Sequence, residues 1–151
     1  MPRMTDRYFE DFAVGDAFET QTIQVSESDI IGFARAFDPQ PWHLDPVAAK
    51  TTPFHGLVAS GWHTTALTMR LIVDSGVLRA TGILGLGVDE LRWLKPVRPG
   101  MTLRVRGAVA ALEPPAPGKR AGTIRFHLTT LDERDEAVQT EIAILRVRTR
   151  P

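Results

Sequence analysis

The sequence predicts an α+β fold in which one antiparallel β-sheet wraps around a long central α-helix within a single domain. Four segments of the second half suit extended strands, and two of them, MTLRVRGAV and EIAILRVR, alternate apolar and polar residues as strands with one wet face do. Upstream of them, GWHTTALTMRLIVD from Gly61 to Asp74 carries apolar or small residues around most of its circumference, the composition of a buried helix. The order strand, short helix, long helix, four strands is satisfied by one sheet packed on one apolar helix.

The elements follow in order. FAVGDAFETQTIQV, Phe12 to Val25, reads as a Gly-Asp turn and then a strand. Ser26 is placed to cap a helix with Glu27 and Asp29 in its first turn, and Ile30, Phe33, Ala34 and Phe37 recur at helical spacing. Asp45 and Pro46 open a single helical turn through DPVAAK. The long helix from Gly61 is closed by Gly76. Strands are expected over Leu84 to Val97, Met101 to Leu112, Thr123 to Leu131 and Ala137 to Val147, punctuated by PVRPG and DERDE, with EPPAPGKR as a hairpin loop. No internal repeat or linker interrupts residues 1–151, and the domain core runs from about 12 to 147.

The chain has 151 residues, one domain's worth. Lys+Arg and Asp+Glu both total 18, so there is no global field to draw in nucleic acid or an anionic membrane. The absence of cysteine excludes disulfides and thiolate metal sites and is compatible with a reducing cytosol. MPRMTDRYFEDF contains no apolar leader core, and no apolar run is long enough to span a bilayer. A cytoplasmic protein that binds neither nucleic acid nor membrane is expected.

The stretch FDPQPWHLD sets Asp38 and His43 five residues apart, with Pro39, Pro41 and Pro46 stiffening the backbone. Such a segment is poor material for a helix or a central strand. Asp before Pro is a common turn residue, and a lone histidine is more often structural than catalytic. An acid and an imidazole held this way also suit proton transfer near neutral pH. His43, His55 and His63 match no metal-ligand spacing, so no metal is expected, and His127 lies in a strand.

Further residues fit a family pattern. Phe33-Ala34, Asp38, Pro41, His43, Asp45 and Ala49 occur in order, followed by Phe54-x-Gly56 and Val58-Ala59-Ser60-Gly61. LRWLKPVRPGMTLRV, Leu91 to Val105, adds a strand–turn–strand segment. On these motifs the chain resembles the MaoC-like dehydratases, or (R)-specific enoyl-CoA hydratases, of the hotdog fold. The resemblance implies a homodimer with the two sheets joined edge to edge, or a higher homo-oligomer, acting on acyl-CoA thioesters, with coenzyme A as part of the substrate and no separate cofactor.

It also implies roles. Asp38 and His43 activate water, and the Gly61 backbone amide, at the positive end of the long helix, polarises the thioester carbonyl. Against the family pattern, Phe37 replaces Gly, Gln40 replaces Asn, Ser60 replaces the His before Gly61, His55 replaces a small residue and Trp42 is larger than usual. These residues, with Gly56 and Trp62, are expected to shape the substrate pocket, while Asp45 caps a helix. Arg92, Lys95, Arg98, Arg104 and Arg106 are candidate partners for coenzyme A phosphates or a solvated face. Two other functions compete: a hotdog acyl-CoA thioesterase, which usually draws its carboxylate from the central helix, and a noncatalytic acyl-CoA-binding module. In the long helix the only carboxylate is Asp74.

Overall fold

The computed structural model describes residues 6–79 and 84–151. Residues 1–5 of the N-terminal stretch and residues 80–83 of the 1–151 domain lie outside the described residues. The architecture is the expected one: a six-stranded antiparallel sheet packed on a long helix.

The strands are β1 (Ala17–Glu19), β2 (Ile23–Gln24), β3 (Leu84–Trp93), β4 (Thr102–Glu113), β5 (Ala121–Leu131) and β6 (Ala137–Arg148). They run in the order β1-β4-β5-β6-β3, and β2 also pairs with β4. The helices are α1 (Glu27–Phe37), α2 (Pro41–Leu44), α3 (Pro46–Ala49) and α4 (Gly61–Ser75). The buried face of the sheet is built from alternating residues such as Leu103, Val105 and Val109 on β4, Ile124, Phe126 and Leu128 on β5, and Ala143, Leu145 and Val147 on β6. Leu71 and Ile72 of α4 complete this core. A polar seam runs through it: Thr68 meets Thr130 at 2.6 Å, and Gln139 Nε2 donates to Thr68 at 3.3 Å.

The local signals hold. Ser26 Oγ accepts the Asp29 amide at 3.1 Å, and Asp45 Oδ1 accepts the Val47 amide at 2.8 Å. Gly76 ends α4 at φ 73°, the left-handed conformation glycine adopts without strain.

Four expectations change. The strand expected within Phe12 to Val25 is two, because Thr20 interrupts the ladder: its hydroxyl, rather than a backbone carbonyl, accepts the Val105 amide at 2.9 Å. The proline-rich stretch does hold helix, since Pro41 sits at the first position of the one-turn α2, where no backbone N–H is needed. β3 stops at Trp93, ahead of the Val97 expected: Leu94 still bonds Val138, but Pro96 has no N–H to extend the ladder. Finally, α4 is not buried all round. Trp62, Met69 and Val73 form an exposed stripe, because the sheet covers only one side of the helix. β3 beside it is an edge strand exposed along most of its length.

Candidate active site

Asp38 caps the C-terminus of α1, its amide bonded to the Ala34 carbonyl at 2.9 Å, so the helix end fixes where the carboxylate starts. Gln40 Nε2 donates to Asp38 Oδ1 at 2.5 Å. Burial pushes the Asp38 carboxyl up, but hydrogen bonds from Ser60 and Gln40 and the nearby His43 ring outweigh it and hold the group below the usual carboxylate range.

His43 rides on α2, whose first turn is set by Pro41 and by the His43 amide bonding the Gln40 carbonyl at 2.9 Å. Its ring is buried and held at both nitrogens. Nδ1 donates to the Val58 carbonyl at 2.7 Å, and Nε2 faces Asp38 Oδ2 at 3.3 Å. A carbonyl only accepts, so Nδ1 carries the proton and Nε2 is left to gain or lose one opposite the carboxylate.

The third component comes from α4. Ser60 is its N-cap, fully buried, with the hydroxyl accepting the Trp62 amide at 3.3 Å while also bonding Asp38. Gly61 is the first residue of the helix, and among the described residues no acceptor takes its amide. An unengaged amide at the positive end of a 15-residue helix suits a developing negative charge.

These groups share one cavity of about 540 Å³. Asp38, His43 and Gly61 line it together with Phe37, Gln40, Trp42, Ser60 and Trp62. His55 and Gly56 are not brought in. His55 is exposed, with a left-handed φ of 57°, and a Cβ on Gly56 would face Arg98 at 3.4 Å rather than the cavity. His63 points away as well, stacked on Phe33 at 4.8 Å with Nδ1 buried and unpartnered, and its burial lowers the imidazole pKa against the opposing pull of Asp29. His127 is exposed on β5. Among the described residues no cluster of three or more His, Cys, Asp or Glu could hold a metal.

Trp93, Leu94 and Val138 line the cavity without having been given a role in the sequence, and Lys95, a candidate phosphate partner, lines it too. The signal for Trp93 lies at Gly61, since a Cβ there would overlap the Trp93 indole. The glycine is required by that ring. Most of the candidate phosphate-binding cations are engaged elsewhere: Lys95 bonds Asp132 and Glu136, Arg98 bonds the Phe54 carbonyl, and Arg104 and Arg106 pair with Glu19, Arg104 also with Asp135.

A sheet wrapped on one helix, with an acid–imidazole pair at that helix's N-terminus, is a hotdog domain with a reaction-sized pocket. The chain belongs to the MaoC like domain family, whose model matches residues 11–127. It is 30% identical over 137 residues to protein YdeM of Bacillus subtilis (strain 168), covering 90% of this chain and 96% of that one. The crystal structure of the MaoC-like dehydratase from Rhodospirillum rubrum superposes with a TM-score of 0.90 at 45% identity, covering 96% of this chain and 99% of that one. The R-hydratase PhaJ1 from Pseudomonas aeruginosa superposes with a TM-score of 0.77 at 27% identity, covering 95% and 86%. No described helix is long and apolar enough to cross a membrane.

Proposed function

We propose that this chain adds water reversibly to trans-2-enoyl-CoA thioesters to give (R)-3-hydroxyacyl-CoA. The observation that carries the reading is the convergence on one cavity of the Asp38–His43 pair and the open Gly61 amide. Water held between Asp38 and His43 gives up a proton to the pair as its oxygen bonds Cβ. The π electrons move toward Cα, and the charge that reaches the thioester oxygen is met by the Gly61 amide. The same pair returns a proton to Cα, which closes the balance without a redox step. Kinship with a MaoC-like dehydratase and an R-hydratase supports this chemistry over other uses of the fold.

The exposed edge of β3 and the apolar stripe of α4 support pairing with a second copy. An edge strand with open backbone groups beside Trp62, Met69 and Val73 is a surface that proteins cover.

The test follows the enoyl-thioester absorbance of purified protein with a series of trans-2-enoyl-CoAs, beside Asp38→Asn and His43→Ala. Loss of the double-bond signal without free thiol, abolished by either change, is the expected result. Thiol release would instead make the protein a thioesterase, a reading disfavoured by Asp74, which sits at the far end of α4 in an ion pair with Arg70. Binding without turnover on any chain length would make it an acyl-CoA-binding module.

A further inference from the structure

We propose that Trp93 sets the acyl-chain length by closing the catalytic cavity against an apolar groove behind it, an inference that rests on the acyl-CoA reading above. The groove is about 440 Å³ and runs between α4 and the β3–β6 side of the sheet, past Met69, Val88 and Ala143. It adjoins the catalytic cavity: Trp62 lines both. Trp93 lines the cavity, and Thr65, which lines the groove, accepts the Trp93 indole N–H at 3.2 Å. The half-exposed indole therefore stands on the cavity side of the junction, against the Trp62 wall that the two spaces share.

Three contacts hold it there. Its ring lies against the bare Cα of Gly61, where a Cβ would collide with it. Trp62 packs edge-on at 5.1 Å and 80°. Thr65 passes the hydrogen bond inward to Gln139 Oε1 at 2.8 Å, tying the indole to the buried seam of α4 and β6. An acyl chain whose thioester sits at the Gly61 amide meets this ring within a short distance of the reacting carbons, while apolar space continues beyond it. The groove fits the distal methylenes of a longer chain by its largely apolar walls, in which Glu141 is the one acid, and by its continuity with the cavity, and a second copy seated on β3 would roof it.

Calorimetric binding of saturated butyryl-, hexanoyl-, octanoyl- and decanoyl-CoA to the wild type, Trp93→Ala, Trp93→Phe and Trp93→Ala/Ala143→Leu tests this without requiring turnover. Each methylene that gains apolar cover is worth roughly fourfold in affinity. In the wild type, affinity is expected to stop rising at a short chain. In Trp93→Ala the octanoyl-to-butyryl affinity ratio is expected to rise at least tenfold, and Ala143→Leu, which fills the groove, is expected to reverse that gain. Trp93→Phe, which keeps a ring but loses the bond to Thr65, should fall between. An unchanged ratio in Trp93→Ala overturns the proposal even where the wild type hydrates enoyl-CoA. Binding with the expected ratios but no hydration overturns the hydratase reading and leaves this one standing. No binding of any acyl-CoA overturns both.

Discussion

His43 and Asp38 face each other across 3.3 Å, and the Val58 carbonyl on the far side of the ring fixes which imidazole nitrogen meets the carboxylate. The pair is oriented by backbone that is itself anchored: Val58 bonds Trp42, and Ala59 bonds Val97. Asp38→Asn and His43→Gln are therefore expected to lower kcat for enoyl-CoA hydration by about 10²–10⁴-fold. KM and the thermal midpoint should change little. Steady-state kinetics with calorimetric unfolding checks the split, and a midpoint that collapses with activity would make the pair structural.

Gly61 is predicted to tolerate no side chain while Trp93 is present, because a Cβ would enter the indole. Gly61→Ala should cost roughly 1–3 kcal/mol, the range for forced overpacking. Adding Trp93→Ala should recover most of that loss. Urea unfolding of both single variants and the double reads the coupling, and simple additivity would contradict it.

Asp132 is nearly fully buried at the β5–β6 turn, where its carboxylate accepts the Arg134 and Glu136 amides at 2.9 and 3.0 Å and Lys95 at 2.7 Å. Burial pushes its pKa up, but these bonds outweigh it and hold it below the usual value. The stability it contributes is present above the ordinary aspartate pKa and is lost as pH falls through the lowered folded one. Asp132→Ala should cost about 1–3 kcal/mol at neutral pH, since the Arg134 and Glu136 amides lose their charged acceptor while Lys95, partly exposed, keeps Glu136. The gap to wild type should narrow in acid, as denaturant melts across pH would show.

Glu141 behaves oppositely. It is buried beside the groove with Oε2 unpartnered, and burial raises its carboxyl pKa. Its neutral form is tolerated below the ordinary glutamate pKa, and stability drains away as pH climbs through the raised folded value. Glu141→Gln should therefore stabilise the protein above that range, by about 1–3 kcal/mol, and have little effect in acid. Melting curves at acid and mildly alkaline pH decide it; equal shifts at both would show that the carboxyl is solvated.

Much of the fold could be read ahead of the structure, because α1, α3 and α4 each open on a polar cap and the late strands keep a period of two. Asp38, His43, Ser60 and Gly61 were also readable, lying in two short motifs. What stayed hidden depends on contacts between distant segments. Trp93 enters the site because β3 ends beside the start of α4, and His55 lies outside it on a turn whose backbone is left-handed. The split of the first strand at Thr20 turns on one hydroxyl replacing a carbonyl, which no periodicity signals.

Ser60 serves two neighbours with one oxygen: a lone pair for the first turn of α4 and a proton for the acid. The base and the charge-receiving amide therefore share a common mount. A shift of α4 along its axis carries Asp38's partner with it, and a change in the charge on Asp38 is felt at the root of the helix. Alanine at this position would sever both connections in one step, whereas threonine keeps the hydroxyl that makes them. Ser60 thus couples the acid to the amide from the α4 side, while the end of α1 and Gln40 hold the acid from the other.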